Sequence, residues 1–336
     1  MNRWIPRWLA WGMVIASFPV WSGVFVAPFL PLPAEQRALV AALSVGLGEG
    51  LFWVGGALLG KEVLARLRKP KVNTGNSFAG RRALVLGASG GLGEAIARAL
   101  HREGASVGLV VRDPVKVQVL ATELAAPVLQ ADLTDAASLE RAAASFGAFD
   151  LLINASGQDT RQSFASHTPE QLQRELAVNL AGPMLALRAF LPHLRERGVA
   201  LLLGGFGDGR LAFPYYTADV AARAGLAAFS EALNRELALE GRDIVVSYLC
   251  PEPADTEAER PFTRLWQELG TKVVAPSAVA DFVLQSALAR RKVAIMGRAT
   301  ALLSMINALS PALADLLALR RIGRALREAF GRKALV

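Results

Sequence analysis

Two long apolar stretches stand at the start of the chain, ahead of any shorter alternation of apolar and polar positions. Residues 8–30 contain no charged side chain, and residues 38–60 contain only Glu49. About 20 apolar residues suffice for a helix to cross the hydrocarbon core of a bilayer. The stretches therefore predict a two-helix transmembrane hairpin, with helices at about 8–30 and 38–60. The alternative is a signal peptide followed by a core helix.

Glycines in the second stretch predict how the hairpin packs. Two pairs have a spacing of four residues: Gly46 with Gly50, and Gly56 with Gly60. This spacing lets a second helix backbone approach closely, so we expect a tight hairpin packed at these positions. We interpret Glu49 as a protonated or hydrogen-bonded residue that faces the partner helix or another subunit. A role in moving protons or ions is the alternative, and it would need further ionisable residues in the spans.

The rest of the chain suits one larger domain and a basic tail. Residues 82–86 form a short apolar run of the buried-strand type, and Ile96, Ala97 and Leu100 follow at helical spacing. We divide the chain into the hairpin at 1–72, a polar linker at 73–80, an α/β domain at 81–297 and basic amphipathic helices at 298–336.

The tail combines apolar periodicity with arginines. From Leu313 onwards, apolar residues recur at steps of three and four, with arginines between them. This pattern is typical of a basic amphipathic helix lying on an anionic membrane surface. The alternative is an ordinary helix packed on the domain.

The charge supports a membrane rather than nucleic acid as the partner. The net charge is +8, and basic residues collect beside the apolar segments, including Arg3 and Arg7 before the first span. Seven more follow the second span: Lys61, Arg66, Arg68, Lys69, Lys71, Arg81 and Arg82. We therefore expect a multi-pass membrane protein with two spans in the lipid bilayer, and with both termini and the α/β domain on the cytoplasmic side. No nucleic-acid motif accompanies the charge, so we expect no nucleic-acid partner.

A glycine-rich stretch joins the first predicted strand to the helix after it. It contains six candidate cofactor-binding residues: Gly87, Ser89, Gly90, Gly91, Leu92 and Gly93. Glycines permit a tight turn and close backbone approach, and a helix N-terminus offers free N–H groups to a pyrophosphate. The order strand, glycine-rich turn, helix therefore predicts a dinucleotide site.

The spacing of Gly87, Gly91 and Gly93 resembles that of the short-chain dehydrogenases/reductases. Residues 150–157 and 177–182 are similar to the family's fourth-strand signature and to its asparagine-bearing helix, in the expected order. The resemblance covers about residues 81–297 and implies a Rossmann-type, doubly wound parallel sheet. It also implies an NAD(P)-dependent oxidoreductase and, by analogy with relatives of this fold, a homodimer.

The resemblance also assigns the cofactor contacts. Arg112 follows the second strand, where the family selects its cofactor, and an arginine there favours the 2′-phosphate of NADP over NAD. Six further residues match cofactor-binding positions of the family: Asp132, Leu133, Asn154, Ala155, Gly157 and Thr256.

The expected catalytic residues are only partly present. Tyr216 matches the family's catalytic tyrosine and Asn179 its active-site asparagine. The lysine position is occupied by Val220, and the serine position falls on Gly204 or Gly205. A cation from Arg223, or polar contacts from Asp208 or Thr217, would be substitutes. Glu252 also stands where the family has a glycine beside the nicotinamide.

Two functions follow from these matches and departures. One is a membrane-anchored, NADP-dependent oxidoreductase that acts on a small lipophilic carbonyl or alcohol through an atypical active site. The other is a catalytically inactive, dinucleotide-binding sensor or scaffold. A Val220→Lys and Gly205→Ser pair would restore the expected residues and discriminate between them. The three histidines lack ligand spacing, so we expect no metal site.

Overall fold

The computed structural model describes residues 7–67, 76–205 and 211–331, without the side chains of residues 7–8, 58–67 and 318–321. The chain divides into two compact units, Met1–Pro70 and Lys71–Val336. In the first unit, helix α1 (Arg7–Val26) ends in a short 3₁₀ turn, and helix α2 (Ala34–Leu67) follows. Leu9–Phe29 and Ala34–Ala57 are long and apolar enough to cross a membrane.

The two helices pack through other glycines than the sequence suggested. A Cβ at Gly48 would lie 2.2 Å from Trp21 Cδ1, and a Cβ at Gly55 would lie 2.8 Å from Val14 Cγ2. A Cβ on Gly46, Gly50 or Gly56 would meet no atom within 4 Å, so the predicted pairing is wrong for these three. The packing around Gly60 lies outside the part of the chain that the structure describes in full. Gly48 and Gly55 lie seven residues, about two helical turns, apart on α2, and Gly46, Gly50 and Gly56 lie on other faces of the helix.

The outer surface of this hairpin carries Glu49 and many apolar side chains. Glu49 is exposed, so the interpretation that it faces the partner helix is wrong, and a second subunit stays a prediction. The exposed large apolar side chains include Trp11, Ile15, Phe18, Phe25, Leu43, Leu47 and Trp53. Soluble monomers rarely expose apolar patches of such extent, so this surface suits an apolar environment.

The described residues of the second unit form one sheet of seven parallel strands. They are β1 (Arg82–Leu86), β2 (Ser106–Val111), β3 (Val128–Gln130), β4 (Phe149–Asn154), β5 (Leu194–Leu203), β6 (Val245–Cys250) and β7 (Val293–Ile295). Their order in the sheet is β3-β2-β1-β4-β5-β6-β7. The chain therefore winds outward in both directions from β1, which confirms the predicted Rossmann-type, doubly wound α/β fold.

Helices cover both faces of the sheet. The described helices are α3 (Gly91–Arg102), α4 (Gln118–Leu124), α5 (Ala136–Phe146), α6 (Pro169–Leu176), α7 (Gly182–Phe190), α8 (Thr217–Leu239), α9 (Thr263–Glu268), α10 (Pro276–Leu288), α11 (Arg298–Leu309), α12 (Pro311–Ala314) and α13 (Arg320–Phe330). Because successive strand residues point to opposite faces, Ala83 and Val85 enter the core beneath α3 and α10, whereas Leu84 and Leu86 enter the core beneath α5, α7 and α8.

The segment that was predicted as a linker contributes to this domain. Phe78 is fully buried in the core beneath α3, and its N–H donates to the Glu103 carbonyl. The Ser77 N–H bonds to the Glu103 carboxylate. Polar composition predicted a linker over 73–80, but one buried aromatic ring is enough to fix residues 76–80 to the domain.

A buried amide completes the hydrogen bonding of β6 at positions that no neighbouring strand satisfies. Asn234 on α8 donates to the Val246 carbonyl at 2.6 Å and accepts from the Val246 N–H at 3.0 Å. Strand β7 pairs with β6 only from Tyr248 onwards. The Asn234 side chain therefore acts as a strand partner and holds α8 against the sheet.

The basic tail packs on the domain through α13. Leu326 and Phe330 are buried in a cluster with Tyr216 and Leu265. This corrects the expected membrane-surface role of those apolar positions, since they cover protein instead. Leu316, in the turn before α13, is exposed.

Candidate active site

A cavity of about 1000 Å³ opens at the carboxyl ends of the central strands. In doubly wound sheets ligands bind in this crevice, where the strand order reverses. Eight of the predicted site residues line it: Ser89, Gly90, Gly91, Leu92, Ala155, Gly157, Tyr216 and Thr256. The cavity thus runs from the glycine-rich turn to the predicted catalytic tyrosine.

The glycine-rich turn depends on close backbone contacts. Gly87 has φ +77°, which favours glycine, and a Cβ on Gly93 would lie 2.2 Å from the Gly87 carbonyl oxygen. A Cβ on Gly91 would lie 2.9 Å from Thr256 Cγ2. Gly87 is therefore required by backbone conformation and Gly93 by space, and a side chain at Gly91 would need Thr256 to shift.

This turn leaves the N-terminus of α3 available to an anion. Gly90 is the N-cap and has no side chain that could cap the first N–H groups. Free N–H groups and the positive end of the helix dipole favour a pyrophosphate at such a position. The exposed Ser89 and Gly90 border the cavity at this point. The residues present therefore fit a dinucleotide cofactor.

The residues that were predicted around the adenosine lie beyond the cavity lining. Arg112 is exposed just after β2. The Asp132 carboxylate accepts from the N–H and hydroxyl of Thr134, and these bonds, together with Arg112 and Arg174, lower the pKa of Asp132 although partial burial opposes this. Leu133 packs against Gly182 on α7.

Asn154 and Asn179 are buried behind the cavity wall. Asn154, at the end of β4, accepts from the Ser156 N–H at 3.1 Å. Asn179 lies in a π-helical turn, Ala177–Ala181, between α6 and α7. Its side chain accepts from the Gln158 N–H at 2.9 Å and donates to the Gln158 carbonyl at 2.6 Å. Asn179 therefore fixes the loop that follows β4.

Tyr216 is a buried tyrosine in the lining of the cavity. The residue is only 9% exposed, and among the residues that the structure describes its hydroxyl has no hydrogen-bond partner. The ring contacts Phe213 and Phe330, and the Arg161 guanidinium lies 5.3 Å from its centre. Burial raises the pKa of Tyr216 above its usual value, although Arg161 opposes this effect.

Side chains from neighbouring elements occupy the space that a side chain on either glycine of the serine position would need. A Cβ on Gly204 would lie 2.4 Å from the Tyr248 hydroxyl. A Cβ on Gly205 would lie 2.7 Å from Arg223 Nε and 2.8 Å from its Cζ. Neither position can take a serine side chain unless Tyr248 or Arg223 moves.

Arg223 is held by two carboxylates. Its Nε donates to Asp219, 2.7 and 2.6 Å from the two carboxylate oxygens, and one Nη donates to Asp159 Oδ1 at 3.0 Å. The Asn179 amide donates to the same Asp219 at 3.1 Å. Burial raises the pKa of Asp219 to about 7, although the Arg223 charge opposes this shift.

A second arginine extends this ionic network. Arg161, 7% exposed at its side chain, bonds to Asp159 at 3.1 Å and to both oxygens of Glu259. The indole N–H of Trp266 donates to Glu259 at 2.9 Å. The guanidinium of Arg161 also lies 4.3 Å from the centre of the Phe262 ring. Five charged side chains thus form one chain of alternating sign along the cavity wall.

Of the two proposed polar substitutes that the structure describes, Arg223 lines this wall and Thr217 does not. Thr217 is exposed at the start of α8, and Asp208 lies outside the described residues. Val220 lines the cavity without polar function, and Glu252 accepts from the Thr300 hydroxyl at 2.9 Å.

Sequence reasoning missed the partners of Arg223. Asp219 was assigned no role, although its spacing of four residues from Arg223 on one helix predicts an ion pair. No local signal joins Asp159 to Arg223, which lie 64 residues apart.

Comparisons with known proteins agree with this architecture. Residues 81–265 match the family model of the short chain dehydrogenase. An uncharacterised oxidoreductase of Staphylococcus epidermidis is 30% identical over 185 residues, which cover 52% of this chain and 78% of that protein.

Two solved structures extend the likeness to three dimensions. A short chain dehydrogenase from Burkholderia cenocepacia, in complex with NADP, is 26% identical, covers 72% of this chain and 98% of its own, and has a TM-score of 0.63. A dehydrogenase/reductase from Sinorhizobium meliloti is also 26% identical, covers 65% and 94%, and has a TM-score of 0.59.

Asp219 should make the stability of the domain depend on pH. Its folded pKa of about 7 lies above the ordinary value of 3.8, so the folded state binds the proton more tightly. The resulting stabilisation is fully present below about pH 4 and is lost as the pH rises through about 7. We therefore expect the unfolding temperature to fall more between pH 5 and pH 8 in the wild type than in Asp219→Asn. Asp281→Asn, an exposed carboxylate on α10, is the control, and equal slopes for all three proteins would contradict the prediction.

Proposed function

The chain belongs to the short-chain dehydrogenase family of NAD(P)-dependent oxidoreductases, and from this premise we propose that it is a membrane-anchored, NADPH-dependent carbonyl reductase. The observation that carries the proposal is Tyr216, a buried residue that lines the cavity and whose hydroxyl has no partner among the described residues. A buried hydroxyl without a hydrogen bond costs about 1–3 kcal/mol, and a substrate oxygen would supply the missing partner.

The form of Tyr216 favours reduction over oxidation. Oxidation of an alcohol needs a base, whereas reduction of a carbonyl needs a proton donor. Val220 supplies no charge, and burial raises the pKa of Tyr216, so the phenol stays protonated near neutral pH. It can therefore donate a proton to an oxygen that gains negative charge. NADPH, when bound, would supply the hydride.

Other residues would bind the cofactor and hold the walls of the cavity in place. The turn Gly87–Gly93 and the N-terminus of α3 would hold the pyrophosphate, and Arg112 would hold the 2′-phosphate that distinguishes NADP from NAD. Asn179 fixes the loop after β4 and, through Asp219, the ionic network of the wall. The B. cenocepacia relative was solved in complex with NADP, which supports the same cofactor here.

The far end of the cavity favours a lipophilic substrate. Its apolar lining residues include Leu203, Leu211, Phe213, Val220, Phe262, Leu269 and Leu326. Such a surface binds hydrocarbon by removing it from water, at about 25 cal/mol per Å² of buried apolar area. We infer that the substrate carries its carbonyl on an apolar body, and that α13 closes this end through Leu326.

The hairpin would anchor the enzyme to the membrane. Two helices are long and apolar enough to span it, and they expose large apolar side chains along their length. The basic residues that flank both stretches favour a cytoplasmic position for both termini. A lipophilic substrate partitions into the bilayer, so the anchor would hold the enzyme where this substrate is concentrated.

The first test is NADPH-dependent reduction of lipophilic ketones and aldehydes by the purified full chain. We expect turnover that Tyr216→Phe lowers by about 10²–10⁴-fold, the range for loss of a positioned acid. Tyr215→Phe is the matched control, because Tyr215 does not line the cavity, and it should leave the rate nearly unchanged. NADPH binding without reduction of any carbonyl would favour the inactive sensor or scaffold.

Arg112→Ala tests the preference for NADP. Loss of a charge-assisted hydrogen bond costs about 1.5–3 kcal/mol, so we expect NADPH affinity to fall roughly 10- to 100-fold while NADH affinity stays nearly constant. Nicotinamide fluorescence would measure both. Arg141→Ala, a 72% exposed side chain on α5, is the control. Equal loss of both nucleotides would assign Arg112 a structural role.

Cysteine labelling tests the membrane topology. The native Cys250 is buried and is the only cysteine of the chain, so the wild type should not react with a membrane-impermeant maleimide. We expect Gln36→Cys, between the two apolar stretches, to be labelled in intact cells. Ala144→Cys, exposed on α5, should be labelled only after permeabilisation. Labelling of both in intact cells would contradict the orientation.

A further inference from the structure

The guanidinium of Arg223 occupies the space where the resemblance places a serine hydroxyl. A Cβ at Gly205 would lie 2.7 Å from Arg223 Nε, 2.8 Å from Cζ and 3.0 Å from Cδ. A serine hydroxyl would extend from that Cβ into the same volume. Arg223 comes from α8, which also carries the residues after Tyr216, and it lines the cavity. At the position of the expected serine hydroxyl, the polar group is therefore the Arg223 guanidinium, which comes from α8.

The guanidinium is held in a fixed orientation. Its Nε binds the Asp219 carboxylate and one Nη binds Asp159 Oδ1 at 3.0 Å. Asn179 in turn donates to Asp219. Fixed donors that need no reorganisation are the most effective stabilisers of a charge that develops during a reaction.

These bonds leave donors for a ligand. A guanidinium has five N–H donors, and the bonds to Asp219 and Asp159 use the Nε–H and one Nη–H. The side chain is 15% exposed, so part of it remains accessible from the cavity. An oxygen that gains negative charge on carbonyl reduction is a strong acceptor for such a donor.

We propose that Arg223 polarises the substrate carbonyl in place of the missing serine, and that Gly205 is glycine because the guanidinium occupies its side-chain volume. The inference rests on the proposed reductase activity. Arg223 would donate a hydrogen bond to the carbonyl oxygen while Tyr216 donates the proton. NADPH, when bound, would supply the hydride to the carbonyl carbon, so the products would be the alcohol, NADP⁺ and a tyrosinate that regains its proton from water.

Unfolding temperatures test the steric part without any activity. Gly205→Ser should lower the unfolding temperature because the new side chain collides with Arg223. The Gly205→Ser/Arg223→Ala double variant should be more stable than the sum of the two single effects predicts. Gly204→Ser is the matched control, since its collision is with Tyr248 and Arg223→Ala should not relieve it. Additive effects at Gly205 would overturn the inference.

Steady-state kinetics test the chemical part. Arg223→Ala should lower kcat by about 10²-fold, as does loss of one oxyanion donor, with little change in KM. Gly205→Ser in the Arg223→Ala background should recover at least about tenfold of that loss, because the serine hydroxyl enters the vacated space. A kcat of Arg223→Ala equal to that of the wild type, or no recovery in the double variant, would overturn the proposal.

If Arg223→Ala fails to fold, a second variant without the Arg223 guanidinium can replace it in the kinetic test. Asp219→Asn/Arg223→Ala removes the carboxylate that would otherwise be buried without its partner. Gly205→Ser added to this pair should again raise kcat, and no rise would count against the proposal. A wild type that binds NADPH but reduces no carbonyl would end the proposed function instead. The unfolding temperatures would then still decide whether Arg223 occupies the serine space.

Discussion

The close approach of Gly93 to the Gly87 carbonyl fixes the geometry on which the site depends. No side chain fits between them, since a Cβ would lie 2.2 Å from that oxygen. This contact seats the first turn of α3 directly at the end of β1, so its free N–H groups point into the crevice where the strand order reverses. The free N-terminus of α3, which suits an anion, and the start of the cavity follow from this contact.

The opposite wall of the cavity depends on paired charge. Buried ion pairs contribute little net stability, because desolvation offsets much of their attraction, but removing one partner costs about 3–5 kcal/mol. Arg223 and Arg161 share Asp159, so the pairs are linked. Substitutions in this wall are consequently coupled. The Val220→Lys and Gly205→Ser pair cannot simply restore a catalytic triad, because the serine side chain meets Arg223.

The sequence predicted those parts of the structure that depend on residues close together in the chain. The strand, the glycine-rich turn and α3 are contiguous in the chain, and within this segment Gly87 is explained by its positive φ and Gly93 by its contact with Gly87. The ionic wall joins Arg161 to Glu259, 98 positions apart, and no local pattern reports such a pairing. The prediction for the hairpin glycines was wrong for a related reason. A spacing of four residues identifies one face of a helix but not the face that meets the neighbouring helix.

Tyr216 distinguishes a retained site from a decayed one. Phenylalanine at this position would keep the ring contacts with Phe213 and Phe330 and would remove a buried hydroxyl that has no partner among the described residues. That hydroxyl costs about 1–3 kcal/mol in the free protein, so packing alone favours its loss. Tyr216 lines the same cavity as the glycine-rich turn and Arg223, and the proposed role as proton donor to a bound substrate would explain why the hydroxyl is kept.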